Sequence, residues 1–257
     1  MPSTKKESFG KLSDGREASV YTLRNTKGNE LKVTDYGARI VSMRFRDKNF
    51  DNKFLLKTYP DASGYEKDSA AGIVYVDGDA QKFAQIIWNS ETFTEGVRFT
   101  AEVDGVSAEI VYSLSNDNEI SIKYKAKGAA DISTQLVFSA DALPDSSIVK
   151  VFDENYSSGK IAGSNVYAIL DKPASVEMEL GMFGYDIGCP IDYLDGGLKN
   201  AAEILSDAAN ILTLIYATQN NLHIAEHEGG YAVKTSGAKS ADGVVSGQTV
   251  YVFKNRR

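Results

Sequence analysis

The chain has little of several things. In 257 residues it holds one cysteine, one tryptophan, two histidines and five prolines. The single Cys189 excludes an intrachain disulfide and a thiolate zinc cluster. No stretch approaches the about 20 apolar residues that a membrane-spanning helix needs. A basic excess is also missing: Lys and Arg total 28 against 35 Asp and Glu, for a net charge of −7. Surfaces that bind phosphate backbones or anionic lipid need such an excess, so neither nucleic acid nor membrane is an expected partner. Residues 1–10 (MPSTKKESFG) carry charge without an apolar segment and do not read as a signal peptide, which points to a cytoplasmic protein.

What is present is ordinary globular composition, 42% hydrophobic and 25% charged, arranged as short β-favouring runs. Residues 18–23, 30–34, 39–45, 108–114 and 119–126 are such runs, several alternating apolar and polar with period two. Asn116-Asp117-Asn118 between the last two reads as a hairpin turn. The pattern resumes at 164–170, 211–218, 222–228 and 248–253. Many short strands joined by turns predict an all-β sandwich or barrel. One segment competes: 196–210 (GGLKNAAEILSDAAN) is rich in helix formers, yet its Asp-Gly-Gly and Asp-Ala-Ala-Asn ends suit turns around a strand equally well. With no repeat, low-complexity tract or linker, residues 1–257 read as one domain.

A set of short motifs runs through this pattern. Phe9-Gly10 and Asp14-Gly15 are followed by Tyr21 to Asn25, Gly28 and Tyr36-Gly37-Ala38-Arg39-Ile40-Val41-Ser42. Farther on come Asp47, Leu55-Leu56, Gly64-Tyr65, Trp88, Tyr112-Ser113-Leu114, Gly184-Tyr185-Asp186, residues 198–204, 216–219 and 246–253. In order and approximate spacing they resemble the aldose 1-epimerases (galactose mutarotases). The resemblance touches both ends and the middle of the chain, although each motif alone is weak. It implies the large single-domain β-sandwich of the galactose mutarotase type, makes 196–210 a strand region, and makes a sugar or oligosaccharide the expected ligand, with no cofactor and no metal.

Opening a hexopyranose takes a base at the anomeric hydroxyl and an acid at the ring oxygen. The family that this chain resembles uses a glutamate and a histidine, with a further histidine, an arginine, an aspartate and a glutamine on sugar hydroxyls. Each is sought here in turn. The stretch 133–138 (STQLVF) sets Gln135 at the position of the acid, and an amide cannot donate a proton at neutral pH. The segment between Tyr65 and Trp88 is too short for the arginine and the second histidine. Asp186 matches the sugar-contacting aspartate, and His223 falls where the glutamine belongs.

Two registers are open for the base. Aligning 231–235 puts Lys234 there, whereas aligning 224–226 keeps Glu226. Both histidines, His223 and His227, lie beside Glu226 and Glu228 in one short run, so a relocated pair of His223 as acid and Glu226 as base is the catalytic expectation. Asp186, Gln135, Lys234 and His227 are then the expected substrate contacts. A metal is not expected from this run, because positions i and i+4 of a strand sit about 13 Å apart. Trp88 reads as core, Cys189 as a small buried side chain, and Arg39 as a further anion or hydroxyl donor.

Overall fold

The computed structural model describes residues 2–68, 71–76, 82–143, 147–153, 158–160, 167–169, 174–179, 187–190, 197–206, 209–218, 221–227, 230–240 and 242–255. The chain opens with β1 (Ser3–Lys11), β2 (Glu17–Arg24), β3 (Glu30–Thr34), β4 (Arg39–Arg46) and β5 (Asn52–Phe54), an antiparallel sheet in sequence order. A short helix, α1 (Ala62–Lys67), and β6 (Val74–Val76) follow. Asp61 caps α1 by accepting from the Ser63 amide, and the helix buries Ala62 and Tyr65. Next come β7 (Asn89–Phe93), β8 (Gly96–Val103), β9 (Val106–Leu114), β10 (Glu119–Lys127) and β11 (Ile132–Ser139). The remainder comprises β12 (Ile148–Asp153), β13 (Ser158–Lys160), β14 (Tyr167–Ile169), β15 (Ala174–Glu179), β16 (Ile187–Pro190), β17 (Lys199–Ser206) and β18 (Ile211–Ala217). Last are β19 (Asn221–His227), β20 (Gly230–Ser236), β21 (Ala238–Lys239) and β22 (Val244–Asn255).

A large antiparallel sheet runs β15-β12-β17-β18-β22-β10-β9-β8-β7, with β21 added on β22. A smaller sheet runs β16-β19-β20-β11-β6. The alternation seen in the sequence is what builds them: β10 (EISIKYKAK) buries Ile120, Ile122, Tyr124 and Ala126 and turns Lys123, Lys125 and Lys127 the other way. One hydrophobic cluster joins Leu23, Leu31 and Met43 of the first sheet, Phe99, Ile110 and Tyr251 of the large sheet, and Leu136, Phe138 and Val233 of the small one. Each such side chain contributes about 1.5–3 kcal/mol on burial, so this shared core is what holds the three sheets together. Among the described residues, no helix is long and apolar enough to cross a membrane.

Polar pins fix how the layers meet. The Tyr112 hydroxyl donates to the Ala38 carbonyl at 2.6 Å, tying β9 to the entry of β4. Asn118, at the predicted 116–118 turn, is left-handed (φ 66°), and its side-chain oxygen accepts from Asn25 and Asn29 of the β2–β3 hairpin. A chain of three buried hydroxyls, Thr134, Thr235 and Thr249, with spacings of 3.0 and 2.7 Å, crosses from the small sheet to the large one.

Within the contested segment, Lys199–Ser206 is strand. β17 pairs with β18 on one side and β12 on the other, and Ala201, Ala202 and Ile204 enter the core. Pairing with two neighbours overrides local helix propensity here. Trp88 is core, as read from the sequence, with its indole N–H donating to the Phe83 carbonyl at 2.8 Å.

Candidate functional site

The small sheet turns one face to the core and carries Tyr75, Gln135 and Lys234 on the other, beside the buried Ser133, Val137 and Ala232, and the sequence dictates which is which. On β11, Ile132, Leu136 and Phe138 join the core; on β20, Tyr231 and Val233 do; on β19, Leu222 and Ile224 do; on β6, Val74 and Val76 do. Strand alternation then sends Tyr75, Gln135 and Lys234 to the opposite face. Register makes a row of them. Gln135 stands opposite Lys234, Lys234 opposite His223, and His223 opposite Gly188. Tyr75 stands opposite Ser133, one step along the same face of β11.

The side chains of this face meet. The Lys234 ammonium lies 4.9 Å from the centroid of the Tyr75 ring, a cation–π contact. The Gln135 side chain hydrogen-bonds the Tyr75 hydroxyl, and burial pushes that hydroxyl above the ordinary tyrosine range while the nearby Arg39 charge opposes the shift. The edge of β11 is covered in two pieces. β6 pairs along 132–134, and the Gln135 amide then donates to the Ile73 carbonyl at 2.9 Å. Beyond that point the Lys57 amide donates to the Val137 carbonyl at 2.9 Å. Gln135 therefore sits where one covering segment gives way to the other.

Beside this junction is a polar cluster assembled from the 36–72 part of the chain. Arg39 is 0% exposed; its guanidinium donates to the carbonyls of Asp68, Ala71 and Ala84 and lies over the rings of Tyr36 and Tyr65, 5.3 and 6.0 Å away. Desolvation pulls its pKa down from the ordinary arginine value. The sequence suggested Arg39 as an anion or hydroxyl donor; here these donors fasten Asp68, Ala71 and Ala84 to β4. Lys57 and Asp68 form an ion pair at 2.9 Å, and the Tyr59 hydroxyl donates to the same carboxylate at 2.7 Å. Burial pushes the Tyr65 hydroxyl up to about 12.

Two glycines make this packing possible. At Gly72 (φ +64°) a Cβ would stand 1.9 Å from the Ile40 carbonyl oxygen, and at Gly37 (φ +70°) 2.5 Å from that of Ala84. The Tyr-Gly-Ala-Arg motif therefore encodes a close approach of two backbones around a buried cation.

The residues expected from the sequence distribute as follows. Gln135 and Lys234 are register partners, and position 223 completes their row. Position 226 stands opposite Tyr231 and His227 opposite Gly230, at the hairpin end of the β19–β20 ladder. The ladder runs without a bulge, so 223 and 227 fall in the row of the polar face and 226 in the row of Leu222 and Ile224. Asp186 and Glu228 lie outside the described residues. Sequence reasoning missed Tyr75, Lys57, Tyr59 and Asp68. Only the short β-favouring run 73–76 could have signalled Tyr75, and it was too short to stand out.

No protein-family profile matches the sequence, and no curated protein matches it at the sequence level. Solved structures do resemble it. A galactose 1-epimerase from Lactobacillus acidophilus NCFM superposes with a TM-score of 0.71 at 12% identity, covering 100% of both chains. A GalM/aldose epimerase homologue from C. elegans gives 0.70 at 12% identity, covering 91% of this chain and 98% of that one. Identity this low carries architecture and not activity. The sheets, their order and the superposition over the whole length together establish that this chain has the galactose mutarotase/aldose epimerase fold, in a divergent form.

Proposed function

We propose that this chain binds a sugar, either free or as the end of an oligosaccharide, on the polar face of its small sheet, and that it interconverts anomers only weakly. The observation that carries the reading is the register pair of Gln135 and Lys234 in one row. By the resemblance in sequence, these are the positions where an acid and a base would stand. A glutamine amide has no ionisable proton to give, and an ammonium has no lone pair with which to take one. Losing one positioned acid or base costs about 10²–10⁴ in rate, so losing both leaves little beyond the spontaneous reaction. Binding asks less: an aromatic surface with a few convergent polar groups suffices, and Tyr75, Gln135 and Lys234 provide that set.

A second reading is catalytic. Position 223 adjoins Lys234 in the ladder, and imidazole is the ordinary acid–base group of neutral pH. In that reading His223 acts as acid from the polar face, and the base is a group other than Glu226, because 226 falls in the core-facing row of Leu222 and Ile224.

One experiment tests both. Proton NMR of purified protein with glucose, galactose and disaccharides records saturation transfer and anomeric exchange in the same tube. Saturation transfer without exchange above the buffer control is the expected result. Exchange well above the control, lost in His223→Gln, would replace the binding reading with the catalytic one. Absence of both signals would overturn both.

A further inference from the structure

We infer that the sugar this face receives carries an anionic group, a carboxylate or a phosphate, and that Lys234 is the residue that holds it; the inference rests on the sugar-binding reading above.

The argument starts from charge. The chain as a whole is acidic, with a net charge of −7, yet among the described residues around Tyr75 the balance reverses. Its ring carries the Lys234 ammonium, and its hydroxyl lies within electrostatic reach of both Arg39 and Asp68. Asp68 is already occupied: it pairs with Lys57 at 2.9 Å and accepts from the Tyr59 hydroxyl at 2.7 Å. Arg39 is buried on carbonyl oxygens, which carry no net charge to cancel it. Counting the described charges of this cluster, Lys234, Arg39 and Lys57 stand against Asp68 alone.

Lys234 is partly open to solvent, as Lys57 is and Arg39 is not, but where Lys57 pairs with Asp68, the contact of Lys234 among the described residues is the Tyr75 ring and not a carboxylate. A neutral sugar would leave that ammonium facing hydroxyls. An anionic sugar would put a full charge on both partners of that hydrogen bond and add an ion-pair attraction that a hydroxyl cannot supply. Buried Arg39 adds a fixed positive potential behind the site, which water screens less than it would a surface charge. The neutral neighbours identify the rest of the ligand: the Gln135 amide and the Tyr75 hydroxyl suit sugar hydroxyls rather than a bare inorganic ion.

The test is isothermal titration of the whole chain with glucose, glucuronate, glucose 6-phosphate, glucose 1-phosphate and inorganic phosphate, in low and in 0.5 M salt. At least one anionic sugar should bind about tenfold or more tightly than glucose, the size of one charge-assisted hydrogen bond. That preference should shrink in high salt, disappear in Lys234→Met and persist in Lys234→Arg. Whether the uronate or the phosphates bind distinguishes the two sources of the charge. Equal affinity for glucose and every anionic sugar would overturn this inference and leave the sugar-binding reading standing. Inorganic phosphate binding as tightly as the sugar phosphates would also overturn it, since the sugar would then contribute nothing. No binding by any sugar would overturn both readings. If Lys234→Met does not fold, the comparison of ligands on the natural chain still decides.

Discussion

Two strands of this protein treat a charge within the sheet in opposite ways. On β3 of the first sheet, Glu30 is 6% exposed and surrounded by cations of its own chain: Arg24 at 2.6 Å, Arg44 at 3.4 Å and Lys32 at 3.6 Å. On β20 of the small sheet, Lys234 has an aromatic ring beneath it and, among the described residues, no carboxylate at ion-pair distance. The first arrangement is complete without a ligand and serves to fix the β2–β3–β4 register. The second, among the described residues, sets its ammonium against a neutral ring, and the proposed anionic ligand is what would answer it. The difference teaches where to look for function on a large β-sandwich: at the charge that the fold itself has not neutralised.

The sharpest way to break the comparison lies in the scaffold behind both regions. Gly72→Ala forces a Cβ into the Ile40 carbonyl at a left-handed position, and we expect a loss of about 3 kcal/mol in denaturant unfolding. A loss below about 1 kcal/mol would mean that the 68–84 segment shifts readily and that the Arg39 anchor is loose.

Glu30→Gln should cost about 2 kcal/mol, because it leaves Arg44 partly buried beside a neutral amide. The chevron or the urea midpoint measures it. A neutral outcome would show that the triple pairing is exposed enough to be worth little, and the contrast with Lys234 would weaken.

A third prediction concerns pH. Asp35, buried at the end of the first sheet, accepts from the Ser19 amide at 2.7 Å, and desolvation raises its pKa above the ordinary carboxylate value. For a raised carboxylate, the native state keeps its proton to higher pH than the unfolded chain does. Stability therefore falls as pH rises from the ordinary carboxylate range through the raised value. Asp35→Asn should flatten that part of the stability profile, and an unchanged slope would remove Asp35 as its cause.

The smallest effect is expected at the site itself. Lys234→Met keeps an unbranched apolar side chain beside Tyr75 and removes the charge, so stability should change by no more than about 0.5 kcal/mol in either direction. A clear destabilisation would make Lys234 a structural residue like Glu30.

The fold was largely legible because period-two alternation is a strong signal wherever a strand has one wet face. The run 30–34 coincides with β3, and 39–45 and 119–126 fall within a residue of β4 and β10. Composition misled where alanine and leucine line a strand: 199–206 is helix-forming by propensity, yet β12 and β18 hold it extended. The site was legible only in part. The resemblance to the mutarotases placed Gln135 and Lys234, and alternation on β11 and β20 could have shown that both leave the core face. Nothing local could have paired them, because their separation of 99 positions is closed only by sheet topology. Tyr75 escaped notice for the same reason, on a strand of three residues whose partner lies 58 positions downstream.

The first strand of the chain carries a different consequence. β1 forms one edge of its sheet, is exposed along most of its length, breaks register between Ser8 and Gly10, and carries Lys5, Lys6 and Lys11. An open edge is a template on which another copy can add a strand, and self-association through such edges is a common route to aggregates. A bulge that twists the ladder, together with the charged side chains Lys5, Lys6, Glu7 and Lys11 spaced along it, makes this edge a poor template for itself. This edge is therefore shaped against the addition of a further strand.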